Sequence, residues 1–276
     1  MTCVGISGKK GLWAAAPART LDIRDSTSVR EVLARESFDY VFNAGGYIEH
    51  TPYAEGGRRV IDHHLVGLLN LLDTLDRRSV KGFIQLGSSD EYGEAPAPQR
   101  EDSDGRPISP YAFAKQSATK LIRMLADQEG FPGVVVRLFL VYGPGQGRSR
   151  FLPQVITACL RGEPFSCTLG EQHRDFCYVE DVVDGIVRAA LLPQAKGQII
   201  NVASGKPVTI RRMTEIIVKL IGAGKPEYGS RPYRPGESMM LYADISKATS
   251  LLNWAPAISL EDGLRRTIDY YKERLT

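Results

Sequence analysis

The sequence predicts an α/β protein, a Rossmann-like parallel sheet with a smaller, interleaved C-terminal substrate lobe. Three observations carry that expectation. Short β-rich apolar runs alternate with longer stretches of helical period, the rhythm of βαβ units. A length of 276 residues exceeds one average domain, which suits a large α/β domain with an added lobe. Hydrophobic residues form 43% and charged residues 24% of the chain, close to globular averages and enough for an ordinary core.

The elements follow in order. Tyr40-Val-Phe-Asn-Ala-Gly45 reads as a strand, and the spacing of Leu65, Leu68, Leu69, Leu72 and Leu75 as a helix after it. Phe83-Ile-Gln-Leu-Gly87 is the next strand. Ser109 can cap a helix with Pro110 in its first turn, and Leu121, Ile122 and Leu125 give that helix an apolar stripe. Val134 to Tyr142 reads as one buried strand, and Ile199-Ile-Asn-Val-Ala203 as another. Between them, after the glycine-rich run from Gly143 to Gly147, the segments become shorter and more mixed, which marks the second lobe. The expected division is 1–145 with about 180–205 as the cofactor domain, and about 146–179 with 206–276 as the substrate lobe.

Composition narrows the function. Basic residues number 35 and acidic residues 32, for a net charge of +3, and they are mixed throughout, without the basic stripe nucleic-acid binding needs. Cys3, Cys159, Cys167 and Cys177 show no CxxC spacing, so neither a zinc site nor a disulfide framework is expected. No apolar run approaches a membrane span and the N-terminus has no leader pattern, so a cytoplasmic protein is expected.

Tyr111 and Lys115 lie four apart on the predicted helix and share a face. A phenol titrates near 10, and an adjacent ammonium stabilises the phenolate, which makes a tyrosine usable as proton donor or acceptor near neutrality. Hydride transfer at a carbinol or ketone needs such a group. The run Gly87-Ser-Ser-Asp-Glu-Tyr-Gly93 leaves a strand at the C-terminal edge of the predicted sheet, where α/β proteins bind ligands. Ser88 can hold a substrate hydroxyl there, and Asp90 or Glu91 can add a carboxylate base. A surface Tyr–Lys pair and a plain serine turn are the alternatives. His63 and His64 are adjacent and point in diverging helical directions, so they are read as ordinary histidines and no metal site is expected.

These motifs, with Leu21-Asp-Ile-Arg-Asp25, Val41-Phe-Asn-Ala-Gly45, Arg137-Leu-Phe-Leu-Val-Tyr-Gly-Pro-Gly145, Arg174-Asp-Phe-Cys-Tyr-Val-Glu-Asp181, Asn201-Val-Ala-Ser-Gly205 and Asp244-Ile-Ser-Lys-Ala248, resemble the extended short-chain dehydrogenase/reductases, in particular the nucleotide-sugar epimerases, dehydratases and ketoreductases. The resemblance spans nearly the whole chain. It implies a Ser88, Tyr111 and Lys115 catalytic set, with Lys115 also on the nicotinamide ribose. It implies Asp22 against the adenine, Asn43, Ala44 and Gly45 lining the cofactor, and Phe139 beside the nicotinamide. Ser88, Ser89 and Asp90 would face the sugar, and Arg174 and Arg234 the nucleotide diphosphate, a role suited to guanidinium forks. The substrate would be a nucleotide sugar, with neither nucleic acid nor membrane as partner, and a homodimer is the family expectation.

The N-terminus departs from the pattern. Gly5, Gly8 and Gly11 match GxxGxxG in letters, but only four residues precede them and Pro17 limits a following helix. The better alignment takes residues 2–7 as the family's second strand, so its first strand, glycine turn and first helix are expected to be absent. Two unpaired edges and an apolar trough would follow. Ser7, Lys9 and Lys10 would then lie where a Rossmann protein reads the adenosine ribose, and with no acid there they suit a 2′-phosphate, favouring NADP over NAD. Leu140 and His64 replace asparagines usual in the family. The leading expectation is an NAD(P)-dependent enzyme acting on an NDP-hexose as epimerase, 4,6-dehydratase or 4-ketoreductase. The alternative is a truncated, catalytically silent nucleotide-sugar-binding module.

Overall fold

The computed structural model describes residues 3–5, 18–234 and 236–275. Ser7 and Lys9, with Lys10, Gly8 and Gly11, lie outside the described residues. The chain forms two compact units, one of Met1–Gly93, Gly105–Val136 and Ala189–Ile199, the other of Glu94–Asp104, Arg137–Arg188 and Ile200–Thr276.

In the first unit β1 (Cys3–Gly5) pairs in parallel with β2 (Ala18–Thr20), Cys3 opposite Ala18 and Gly5 opposite Thr20. Asp25 caps α1 (Ser26–Leu33) by accepting from the Thr27 amide, and Val29 and Leu33 turn inward. Then β3 (Tyr40–Asn43) pairs in parallel with β4 (Gly82–Ser88), and the sheet continues through β5 (Gly133–Leu138) to β9 (Ile199–Val202) in the order β3-β4-β5-β9. β3 ends that order, and its Tyr40 and Phe42 are exposed.

The helix predicted around Leu65–Leu75 is α2 (Arg58–Ile61) and α3 (Gly67–Thr74), joined by a π-turn at Asp62–Val66. The helix predicted from Ser109 is α4 (Pro110–Glu129). The Ser109 hydroxyl accepts from the Ala112 amide, Pro110 stands in the first turn, and Gly130 ends the helix at φ 65°. Leu21, Leu68, Leu72, Phe83, Ile122 and Val135 lie at the heart of this unit's core.

The run expected as a single strand from Val134 to Tyr142 is two. After Leu138 the chain gives up one set of backbone partners, and β6 (Leu140–Tyr142) takes another, pairing in parallel with β8 (His173–Tyr178). Valines, which favour strands, stand on both sides of the break, so the apolar run continues through it without a signal.

In the second unit α5 (Phe151–Arg161) leads to β7 (Pro164–Cys167), which pairs with β11 (Lys225–Tyr228). A second sheet runs β10 (Pro207–Thr209), β8, β12 (Met240–Leu241). The helices α6 (Val179–Leu191), α7 (Ile210–Ile221), α8 (Ser246–Leu252) and α9 (Leu260–Lys272) complete the chain. Side chains of α5, α7, α9 and β8, among them Ile156, Ile217, Leu264 and Phe176, form one buried cluster. Among the described residues no helix is long and apolar enough to cross a membrane.

Candidate active site

Parallel strands leave their ends on one side of a sheet, and β3 and β4 end at Asn43 and Ser88. Ser88 is buried and turns the chain: its hydroxyl accepts from the Asp90 amide at 3.2 Å while its own amide donates to Glu91 Oε1 at 2.8 Å. This reciprocal cap commits Glu91. The Glu91 carboxylate is buried, with Thr119 donating to its other oxygen at 2.7 Å. Of the two acids after Ser88, Glu91 therefore braces the turn and Asp90 remains partly open, while Ser89 is buried.

Tyr111 and Lys115 are both buried, one helical turn apart near the start of α4, with the Lys115 ammonium 5.8 Å from the Tyr111 ring centre. Lys115 donates to the Leu86 carbonyl at 2.9 Å. Burial pulls its ammonium down to about 8, and the charges of Glu91 and Asp90 oppose the shift. A lysine held there is charged at neutral pH and sits beside the phenol that it can help to ionise.

The sequence did not single out the residue that links this lysine to Asn43. The Asn43 amide donates to Gln85 Oε1 at 2.8 Å, and Gln85 in turn donates to the same Leu86 carbonyl at 3.1 Å. Both amides are buried, and register places them opposite each other on β3 and β4. The available signal was a glutamine inside the apolar run Phe83-Ile-Gln-Leu, since a polar side chain in a core strand needs a partner.

Histidines surround the tyrosine. His63 and His64, read from the sequence as buried or surface histidines, are both buried on the π-turn, and both hold the loop after β3. His63 meets the Tyr47 ring edge-on with ring centres 4.9 Å apart, and His64 Nε2 lies 2.9 Å from the Tyr47 carbonyl, to which it donates. The His64 ring stands edge-to-face against Tyr111 at 5.2 Å. Burial holds His64 down to about 4, helped by the positive Lys115, so its ring is neutral at pH 7. Gly46, at φ +101°, makes room for it: a Cβ there would lie 2.1 Å from His64 Cε1. On the other side His50 Nε2 is 2.6 Å from Asp90 Oδ2, and its ring centre is 5.7 Å from that of Tyr111. His50 belongs to no motif, and only the folded loop reveals it.

Asp22 accepts from the Arg24 guanidinium and amide, which hold its carboxyl down to about 2. Ala44 and Gly45 are exposed at the end of β3, and the Gly45 amide lies 3.3 Å from Asn43 Oδ1. In the second unit Phe139 is buried, and Arg174 is buried against Glu237, donating also to the His173 carbonyl at 2.7 Å. Arg234 is exposed. Among the described residues no cluster of three metal-ligating side chains occurs.

The donor set fits a dinucleotide. A buried ammonium has three N–H bonds, and among the described residues Lys115 spends one, on Leu86, which leaves two for ribose hydroxyls. A parallel sheet with a capping serine at the end of β4, and a tyrosine and a buried lysine one turn apart on α4, is an arrangement that suits a Rossmann-type, nicotinamide-dependent enzyme. The chain belongs to the NAD dependent epimerase/dehydratase family, whose sequence profile matches residues 7–203.

It is similar to the UDP-glucuronate 4-epimerase of Thermodesulfobacterium geofontis, 36% identical across 92% of this chain and 79% of that protein. The dTDP-glucose 4,6-dehydratase of Xanthomonas campestris is 27% identical across 91% of this chain and 77% of its own. Among solved structures, the UDP-glucose 4-epimerase of Thermotoga maritima with UDP-glucose superposes with TM-score 0.89 at 26% identity, covering 100% of this chain and 91% of the other. The UDP-glucuronic acid 4-epimerase of Bacillus cereus with UDP-glucuronic acid and NAD gives TM-score 0.82 at 27% identity, covering 94% and 82%.

Proposed function

We propose that this protein is a nucleotide-sugar-modifying enzyme that exchanges hydride between a hexose carbon, C4, and a nicotinamide dinucleotide. The observation that carries the reading is the buried Lys115 ammonium with two uncommitted donors, one turn from Tyr111. Relatives that act on UDP-glucuronate and dTDP-glucose support the substrate class.

The nicotinamide, when bound, supplies the hydride acceptor or donor. The chain's own groups do the rest. Tyr111 takes or returns the proton on the sugar oxygen at the reacting carbon, the Lys115 charge stabilises its phenolate, and Ser88 hydrogen-bonds the same oxygen. Epimerase, 4,6-dehydratase and 4-ketoreductase chemistry share this step. Asn43, Ala44, Gly45, Asp22 and Phe139 are proposed for the cofactor, within residues 1–145 and about 180–205. Arg174 and Arg234 are proposed for the diphosphate, and Ser89 and Asp90 for the sugar. Between the dinucleotides we favour NADP, because Ser7 and Lys9 offer a hydroxyl and an ammonium rather than an acid.

Incubation with UDP-, dTDP-, GDP- and CDP-hexoses and each dinucleotide, followed by product analysis, tests the reading. Conversion of at least one should fall roughly 10²–10⁴-fold in Tyr111→Phe with the melting temperature unchanged. Full turnover in that variant removes the proposed role.

A further inference from the structure

Hydride exchange at C4 accounts for Ser88, Tyr111 and Lys115 but gives His50 nothing to do. His50 Nε2 lies 2.6 Å from Asp90 Oδ2. A carboxylate oxygen accepts, so Nε2 is the donor of this bond, and in the neutral ring Nδ1 keeps its lone pair. Among the described residues the ring makes no other hydrogen bond, and its side chain is 43% exposed. Asp90 is held in turn by its amide on the Ser88 hydroxyl. The other acid of the turn, Glu91, is buried and spent on Ser88 and Thr119. A carboxylate that orients an imidazole, with the free nitrogen open and the ring 5.7 Å from Tyr111, is the arrangement of an acid–base pair.

We propose that His50, oriented by Asp90, is a second acid–base group of this site, one that moves a proton at a carbon next to the carbonyl of a bound 4-ketohexose nucleotide. The proposal rests on the nucleotide-sugar reading above and extends it to carbon-acid chemistry. In the step, the C–H bond breaks, its proton passes to His50 Nδ1, and the bonding pair delocalises onto the carbonyl oxygen as an enolate. The Tyr111 hydroxyl and the Lys115 charge are placed to stabilise that oxygen. Return of the proton from His50 completes the cycle without oxidant or reductant. Such a step belongs to dehydration or to inversion beside a ketone. Simple 4-epimerisation and 4-ketone reduction have no need of it.

Exchange of carbon-bound hydrogen in D2O reads this step without hydride transfer. The protein is incubated with UDP-4-keto-6-deoxyglucose and no added nicotinamide, loss of the C3 and C5 proton signals is followed by NMR, and binding is measured by calorimetry. Wild type should exchange one of these protons well above the buffer rate. His50→Asn and His50→Gln, which both keep an amide for Asp90, should lower that rate by about 10² or more, the scale of a lost general base. Asp90→Asn should lower it less, because the imidazole remains. Melting temperatures of all three identify any variant that fails to fold, and the two His50 variants cover each other. Binding without exchange, or exchange undiminished in the His50 variants, overturns the proposal and leaves hydride transfer at C4 standing. Failure of wild type to bind any nucleotide sugar removes the nucleotide-sugar reading, and this one with it.

Discussion

Protonation of His64 should cost the fold stability as the solution is acidified. In the folded protein the ring sits between Lys115, Tyr47 and Tyr111 and takes a proton only near pH 4, whereas a free histidine does so near 6.5. Between these values the unfolded chain binds a proton that the native state refuses, so stability rises with pH across the window and falls as pH drops through it. At pH 5.0 the free imidazole is almost wholly protonated and the folded one almost wholly neutral. The linkage relation then gives a loss of about 2 kcal/mol relative to pH 7.5. Burial raises the Asp175 carboxyl, which acts in the opposite sense at the acid end, so the comparison must be between proteins rather than between pH values alone. His64→Gln retains a donor for the Tyr47 carbonyl but cannot titrate. Urea unfolding by circular dichroism at pH 7.5 and 5.0 should show the wild type losing about 2 kcal/mol more than the variant. Equal losses would refute the reasoning, since they would mean that His64 is hydrated or charged in the native state.

Other expectations follow from neighbouring residues. Lys115→Met should abolish turnover yet raise stability at neutral pH, by up to about 3 kcal/mol, because burial disfavours the charge it removes; thermal melts and activity on the same sample decide this. Asn43→Leu leaves Gln85 Oε1 without its donor and should cost about 1–3 kcal/mol, and Asn43→Leu with Gln85→Leu should recover much of it; a urea double-mutant cycle measures the coupling. Gly46→Ala should destabilise by more than about 1 kcal/mol and lower kcat by displacing His64 from Tyr111, since the left-handed backbone and the 2.1 Å approach both oppose a Cβ; unchanged kcat would separate His64 from the work of Tyr111.

Much of the scaffold was legible because its signals are local. Ser109-Pro110 announces α4 through capping chemistry confined to one turn, and the i, i+4 spacing of Tyr111 and Lys115 needs only that helix to bring both side chains to one buried face. The edges of β3 and β4 follow from apolar runs broken by turn residues. What stayed hidden depends on partners far away in sequence. The break at Phe139 is an exchange of strand partners between two equally β-rich segments. Gln85 acquires its role from Asn43, 42 residues away, and His50 from Asp90, 40 away. Arg174 reads as an anion-binding fork, and its pairing with Glu237, 63 residues away, appears only in the fold. Propensity describes what a residue prefers alone, and each of these depends on what it meets.

The π-turn at Asp62–Val66 has a genetic consequence. Such a turn is an α-helix holding one residue more than its hydrogen bonds can thread regularly, so removing a single codon within it restores an unbroken helix instead of destroying one. The register upstream of the deletion would then rotate by about 100° against the register downstream. Arg58 to Ile61 would keep their helical form, and Leu68, Leu71 and Leu72 could stay in the core, but the imidazoles could no longer face Tyr47 and Tyr111 together. One residue of surplus length thus separates a helix that only fills space from one that grips the catalytic tyrosine proposed here. A library of single-residue deletions across this stretch should yield folded proteins with impaired turnover, a phenotype that point substitutions elsewhere in the same helix would seldom produce.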